Sequence, residues 1–147
     1  MKFISHRGNL IGKNLKLENN PNYVLKAAQL NFDVEIDVFY KNKQFYLGHD
    51  FAKFKVSKKF LENKKFWCHA KNLDALNALK NTKAHYFWHQ NDDVTLTNKG
   101  YLWTFPGKKL FKKSICVLPE TKPYKKIECY GICSDFIMEY KKKIKND

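Results

Sequence analysis

The chain has 147 residues, 44% of them apolar and 16% aromatic, with 6 Gly and 4 Pro; this fits a single domain able to bury a core and excludes a disordered or collagen-like chain. It carries 28 basic and 14 acidic side chains, a formal net charge of +14, yet Arg7 is its single arginine. With the fork that pairs with phosphates and guanine edges nearly absent, specific nucleic-acid recognition is not expected, while a field of this sign favours anionic ligands generally.

In chain order, Phe3-Ile4-Ser5-His6 reads as a first strand ending in a polar loop. Pro21 opens a helical stretch over Asn22 to Leu30. The run from Phe32 to Val38 alternates strictly, placing Asp33, Glu35 and Asp37 on one face and Val34, Ile36 and Val38 on the other. Gln44 to Asp50 predicts a short strand ending at a polar pair; Phe66 to His69 predicts another, followed by a helix over Leu73 to Leu79. Strands are then predicted at Tyr86 to His89, Gly100 to Phe105, Ser114 to Leu118 and Tyr130 to Asp135.

Strands separated by short helices point to βα units and a parallel sheet. The expected fold is a compact, reduced (β/α)8 barrel of the TIM type, with short or missing helices in its C-terminal half, over residues 1–140. Residues 141–147 form a lysine-rich, frayed tail. Polar residues recur where these strands end: His6, Glu35 with Asp37, His69, His89, Thr104, Glu120 and Asp135. In a barrel such ends converge on one face. A barrel this short would leave strands uncovered, which a homodimer would protect.

No apolar run approaches the roughly 18–20 residues needed for a membrane span. Met1 to Arg7 turns polar too early for a signal peptide, so a cytoplasmic protein is expected. Cys68, Cys116, Cys129 and Cys133 lack C-x-x-C spacing and read as reduced, buried hydrophobes rather than zinc ligands.

Glu35 and Asp37, two apart on one strand, project to the same side and can share one hard cation through oxygen. Two carboxylates so close resist joint ionisation unless a divalent metal or nearby cations compensate. The order His6-Arg7-Gly8, Glu18-Asn19, Glu35-x-Asp37, His49-Asp50 resembles the N-terminal half of the glycerophosphodiester phosphodiesterases, members of the phosphatidylinositol-phospholipase-C-like superfamily. The match covers roughly residues 3–50, and Gly131 to Asp135 resembles the family's last strand.

That resemblance implies that His6 and His49 act as general acid and base and that Arg7 binds phosphate. It makes Glu35 and Asp37 metal ligands and places Glu18 in the same polar site. The family's third acidic ligand, followed two residues later by a lysine, corresponds to Cys68-His69-Ala70-Lys71. His69 thus stands at a ligand position and Lys71 at a phosphate contact; histidine in place of a carboxylate makes the site less suited to Ca²⁺. The implied cofactor is Mg²⁺ or Ca²⁺.

The residue chemistry agrees. Breaking a phosphodiester needs charge on the non-bridging oxygens neutralised, a base for the nucleophile and an acid for the leaving alkoxide. His89 and Asp135 are expected to support the site, Trp103 and Trp88 to pack in the core or wall the pocket, and His85 to be structural or exposed. The expected activity is hydrolysis of a small phosphodiester, a glycerophosphodiester by resemblance, giving glycerol 3-phosphate and an alcohol. A phospholipid or a phosphate-linked glycan is the alternative substrate, and a non-catalytic anion-binding module is the alternative in kind.

Overall fold

A computed structural model describes residues 1–146, with side chains described through Ile144; Asp147, the end of the expected tail, lies outside the described residues. In chain order the elements are β1 (Lys2–His6), α1 (Pro21–Gln29), β2 (Asp33–Lys41), β3 (Gln44–Leu47), β4 (Phe54–Val56), α2 (Lys58–Leu61), β5 (Phe66–Ala70), α3 (Leu73–Leu79), β6 (His85–Trp88), β7 (Val94–Leu96), β8 (Leu102–Thr104), β9 (Ser114–Val117), β10 (Gly131–Ser134) and α4 (Ile137–Asn146).

Local chemistry explains the boundaries. Asn20 caps α1, its side-chain oxygen accepting from the amides of Asn22 and Tyr23, and Pro21 occupies the first turn, where no amide is needed. Asn72 caps α3 by accepting from Ala75 N, and its side chain also exchanges two hydrogen bonds with the Tyr40 backbone, fixing α3 against β2. Asn42 and Lys43, with φ of 51° and 57°, make the two-residue turn between β2 and β3.

The expected (β/α)8 barrel is not what forms. Parallel pairings run in the order β6, β5, β2, β1, β10, β9, β8, but β3, β4 and β7 are added antiparallel, and among the described residues no pairing joins β6 to β8. The result is a curled, mixed sheet of ten strands, a half-barrel. The physical reason lies in the connections. Helices of 9, 4 and 7 residues serve the N-terminal half. Between Trp88 and Gly131 the links are short and interrupted by Pro106, Gly107, Pro119 and Pro123, which disfavour helix.

The strand alternation sorts side chains into layers. Val34, Ile36 and Val38 face outward with Phe66, Cys68 and Ala70, under α1 and α3. Ile4, Trp67, Phe87, Trp103, Ile115, Val117 and Cys133 fill the concave side. Each fully buried aliphatic or aromatic side chain contributes roughly 1.5–3 kcal/mol, so the closely packed concave layer is a rigid floor. A third cluster joins Phe32, Cys116 and Ile132 to Ile137 of α4.

The expected frayed tail is also corrected. Helix α4 runs through residue 141 to Asn146, with Tyr140 and Ile144 packed on the third cluster and the Lys141 ammonium 4.3 Å from the Phe32 ring centre. No described helix is long and apolar enough to cross a membrane. The four cysteines are free, and Cys68, Cys116 and Cys133 are buried.

Candidate active site

The parallel strands deliver their C-terminal ends to one rim of the concave face. Register sets His6 beside Glu35 and Asp37 beside His69. Just past β1 the chain turns sharply, with φ of 55° at Arg7 and 95° at Gly8. A Cβ at Gly8 would lie 2.5 Å from the Tyr23 ring, so glycine is required there. The turn is held by Arg7 N donating to Glu35 O at 2.9 Å and Asn19 N donating to Arg7 O at 3.1 Å.

Around it the polar groups interlock. His6 Nδ1 lies 2.8 Å from Asp135 Oδ1, while His6 Nε2 is 3.9 Å from Glu35 Oε2. Arg7 Nε lies 2.8 Å from Asp37 Oδ2, and Arg7 Nη1 donates to Glu18 Oε2 at 3.2 Å. Asn9 Nδ2 donates to both Glu18 Oε1 and Asp135 Oδ1, and Asn19 brackets Asp37 by bonding its side chain and its amide. On the other flank, Asp37 Oδ1 faces His69 Nδ1 at 3.2 Å and Lys71 Nζ at 3.6 Å.

Burial works to raise the Asp37 pKa, but the His69 imidazole, Arg7 and Lys71 outweigh it and hold this carboxyl well below the usual range. Burial likewise opposes a charged His69, yet contact with Asp37 and Glu35 raises it to about 9. Asp135 is lowered, burial being outweighed by the hydrogen bond and charge of His6. His89 is lowered by burial and then by the charge of His69.

A cavity of about 490 Å³ opens above this network, lined by His6, Arg7, Glu35, His49, His69 and Lys71 on its polar side and by Trp88, Trp103, Phe105 and Leu118 on its apolar side. The structure therefore brings His6, His49, Arg7, Lys71, Glu35 and His69 to one space, with His89 and Trp103 on its walls. Asp37, Glu18 and Asp135 lie behind the lining and act through the side chains they hold. His49 stands at the rim, half-exposed, its Nδ1 2.7 Å from Asp50 Oδ1. Gly48 makes this possible: a Cβ there would come within 2.0 Å of the Phe51 carbonyl oxygen. His85 is a buried structural residue, 2.8 Å from the Thr97 hydroxyl. Thr104, also at a strand end, bonds Ser114 and stays out of the cavity lining.

Glu35, Asp37 and His69 are the only group of three or more His, Cys, Asp or Glu among the described residues whose donor atoms could share an ion; those atoms lie within 4.8 Å of one another. Glu35 Oε2 and Asp37 Oδ1 are buried without a hydrogen-bond partner, which a cation would relieve. His69 Nε2 lies 2.8 Å from His89 O; donating there leaves Nδ1 as the ligand atom whenever the ring is neutral. The residues present thus fit a small divalent cation with mixed oxygen and nitrogen ligands.

Sequence reasoning missed Asn9, which ties Glu18 to Asp135, and Thr121 and Lys122 on the cavity wall. It placed Glu120 at a strand end without a role; Glu120 accepts from Ser134 Oγ and Asp135 N and so fixes the residue that orients His6. The signal for Asn9 was its position within three residues of His6. No such signal marked Lys122 among so many lysines.

No protein-family model, curated protein or solved structure matches this chain.

Proposed function

We propose that this chain is a phosphodiester hydrolase acting on a small diester, by resemblance a glycerophosphodiester. The carrying observation is that two imidazoles, His6 and His49, face one cavity beside Arg7 and Lys71, each with a carboxylate against its Nδ1. A carboxylate there keeps the proton on Nδ1 and leaves Nε2 for proton transfer.

In this reading Arg7 and Lys71 hold the phosphate oxygens, Arg7 being locked in place by Asp37 and Glu18. One imidazole takes the proton of the attacking hydroxyl, from water or from the substrate, and the other protonates the leaving alkoxide as the P–O bond breaks. A divalent cation would be held by Glu35, Asp37 and His69 and would supply Lewis-acid stabilisation of a phosphoryl oxygen. The apolar wall of Trp88, Trp103 and Phe105 receives an alcohol group.

One observation favours a second reading. Asp37 already has three cationic neighbours, Arg7, His69 and Lys71, so its charge is offset without a metal. That describes a non-catalytic anion-binding pocket. Nitrophenolate release from bis(p-nitrophenyl) phosphate, with Mg²⁺, Mn²⁺ or Ca²⁺ added, separates the two. The hydrolase reading expects turnover in the wild type and none in His6→Ala, with the circular dichroism spectrum unchanged; folded protein that binds phosphate without turning over any diester supports the second reading.

A further inference from the structure

We infer that the loop pair beside His49 docks the protein on an anionic lipid surface, so that the cavity draws its diester from lipid. The docking stands on the loops themselves; the source of substrate rests on the proposed hydrolase activity.

Two loops flank the Arg7 and His49 side of the site. The first, residues 9–19, is firmly tied down. Asn9 N donates to His6 O, Gly12 N to Asp135 O, Glu18 N to Asn14 O and Asn19 N to Arg7 O, at 2.8–3.1 Å. The second, residues 48–53, is closed by Lys53 N donating to Leu47 O at 3.0 Å. Backbones held this firmly usually turn apolar side chains inward, and these do the opposite. Ile11 is 75% exposed, Leu15 74% and Phe51 63%, and Leu17 is also exposed. Lysines alternate with them: Lys13, Lys16 and Lys53 are all exposed.

Four of these side chains, Leu15, Lys13, Phe51 and Lys53, line one crevice of about 390 Å³ together with the exposed Asp50, and that crevice shares Arg7 and His49 with the cavity of the candidate site. Pre-ordered aliphatic and aromatic tips ringed by lysines match the boundary between acyl chains and anionic headgroups. Each lysine near such a surface gains about 1 kcal/mol from its negative potential. The overall charge of +14 acts in the same direction. A lipid phosphate reaching Arg7 and His49 would need only to enter the adjoining cavity.

Co-sedimentation of the whole protein with vesicles tests this without requiring turnover. The probes are vesicles of phosphatidylcholine alone and of phosphatidylcholine mixed equally with phosphatidylglycerol. The variants are Leu15→Ser with Phe51→Ser, and Lys13→Gln with Lys16→Gln and Lys53→Gln, all at exposed positions outside the proposed catalytic and metal-binding groups. Wild type is expected to sediment with the anionic vesicles, and less so as salt rises. The lysine triple variant is expected to lose about a hundredfold in partitioning, at about fivefold per lysine. The serine double variant is expected to lose binding at high salt, with hydrolysis of a soluble diester unchanged in both. Wild type that stays in the supernatant with anionic vesicles, that binds heparin but no vesicle, or that loses nothing on either set of substitutions overturns the inference. Vesicle binding with no diester turnover would overturn the hydrolase reading alone.

Discussion

His6 Nδ1 and Asp135 Oδ1 meet at 2.8 Å, joining the end of the first strand to the residue that follows the last. The contact is buried, and Asp135 is itself held by Asn9 Nδ2 and, through its amide, by Glu120. An imidazole fixed in this way presents Nε2, and only Nε2, for chemistry.

Asp135→Asn keeps the shape but no longer selects the tautomer. The expected loss in diester turnover is about a hundredfold, within the usual range for general acid–base catalysis, with the melting temperature little changed. Steady-state kinetics on a soluble diester, beside a thermal melt, checks it. A variant that turns over at the wild-type rate would remove the orienting role.

Arg7→Lys tests whether the lone arginine is a fork or merely a charge. Lysine cannot contact Asp37 and Glu18 together as Arg7 Nε and Nη1 do. It leaves Asp37, fully buried, short of a partner. We expect catalytic efficiency to fall about a hundredfold or more and stability to drop by about 1–3 kcal/mol, read by kinetics and by urea titration.

The proposed cation site of Glu35, Asp37 and His69 predicts that dialysis against a chelator lowers the melting temperature and that Mn²⁺ or Mg²⁺ restores it, since ligand binding to the folded state alone adds stability. Glu35→Gln is expected to abolish this response. A melting temperature indifferent to chelator and metal in the wild type would favour the metal-free pocket.

His85 predicts a pH dependence of stability. It is buried beside Trp67, with its ring 4.0 Å from the indole, and burial, followed by the charge of Lys99, lowers its pKa from 6.5 to about 4. Between those values the unfolded chain binds a proton that the folded chain does not. Its contribution is therefore complete above about pH 6.5 and is lost as pH falls toward 4. Allowing for the part of the ring that water reaches, the loss is about 2 kcal/mol. Urea denaturation at successive pH values should show this slope in the wild type and a flatter one in His85→Gln.

Much of the fold was legible because period and caps act locally. The alternation of residues 33–38 marks β2, Leu73–Leu79 is the α3 expected, and Pro21 starts α1. What was not legible depends on long-range closure. Nothing in the spacing of strands showed that β6 and β8 would not pair, or that β3, β4 and β7 would enter antiparallel. In α4 a run of lysines concealed Ile137, Tyr140 and Ile144, the helical stripe that holds it to the sheet.

The site divides in the same way. His6, Arg7, Glu35, His49, His69 and Lys71 were named from sequence, and the structure gathers them around one cavity. By alternation alone, though, Asp33 is equivalent to Glu35 and Asp37. Only the tertiary structure shows it turned to structural use, paired with Lys2 and accepting from the Trp67 indole at 3.0 Å. Asn9 bonds nearby Glu18 but reaches Asp135 126 positions away, and Glu120 bonds Ser134 and Asp135 14 and 15 positions away, contacts that no local pattern reveals.

The central claim is that His6 and His49 together move protons across a scissile P–O bond. Phosphorus NMR of glycerophosphocholine incubated with wild type, His6→Ala and His49→Ala, each with Mg²⁺, Mn²⁺ and Ca²⁺ in turn, tests it most directly. The account predicts conversion of the diester signal to a phosphomonoester, or to a cyclic phosphate, in the wild type and a persistent diester in both variants, with all three proteins folded. A diester left intact by wild type with every metal, or a His6→Ala protein as fast as wild type, would contradict it.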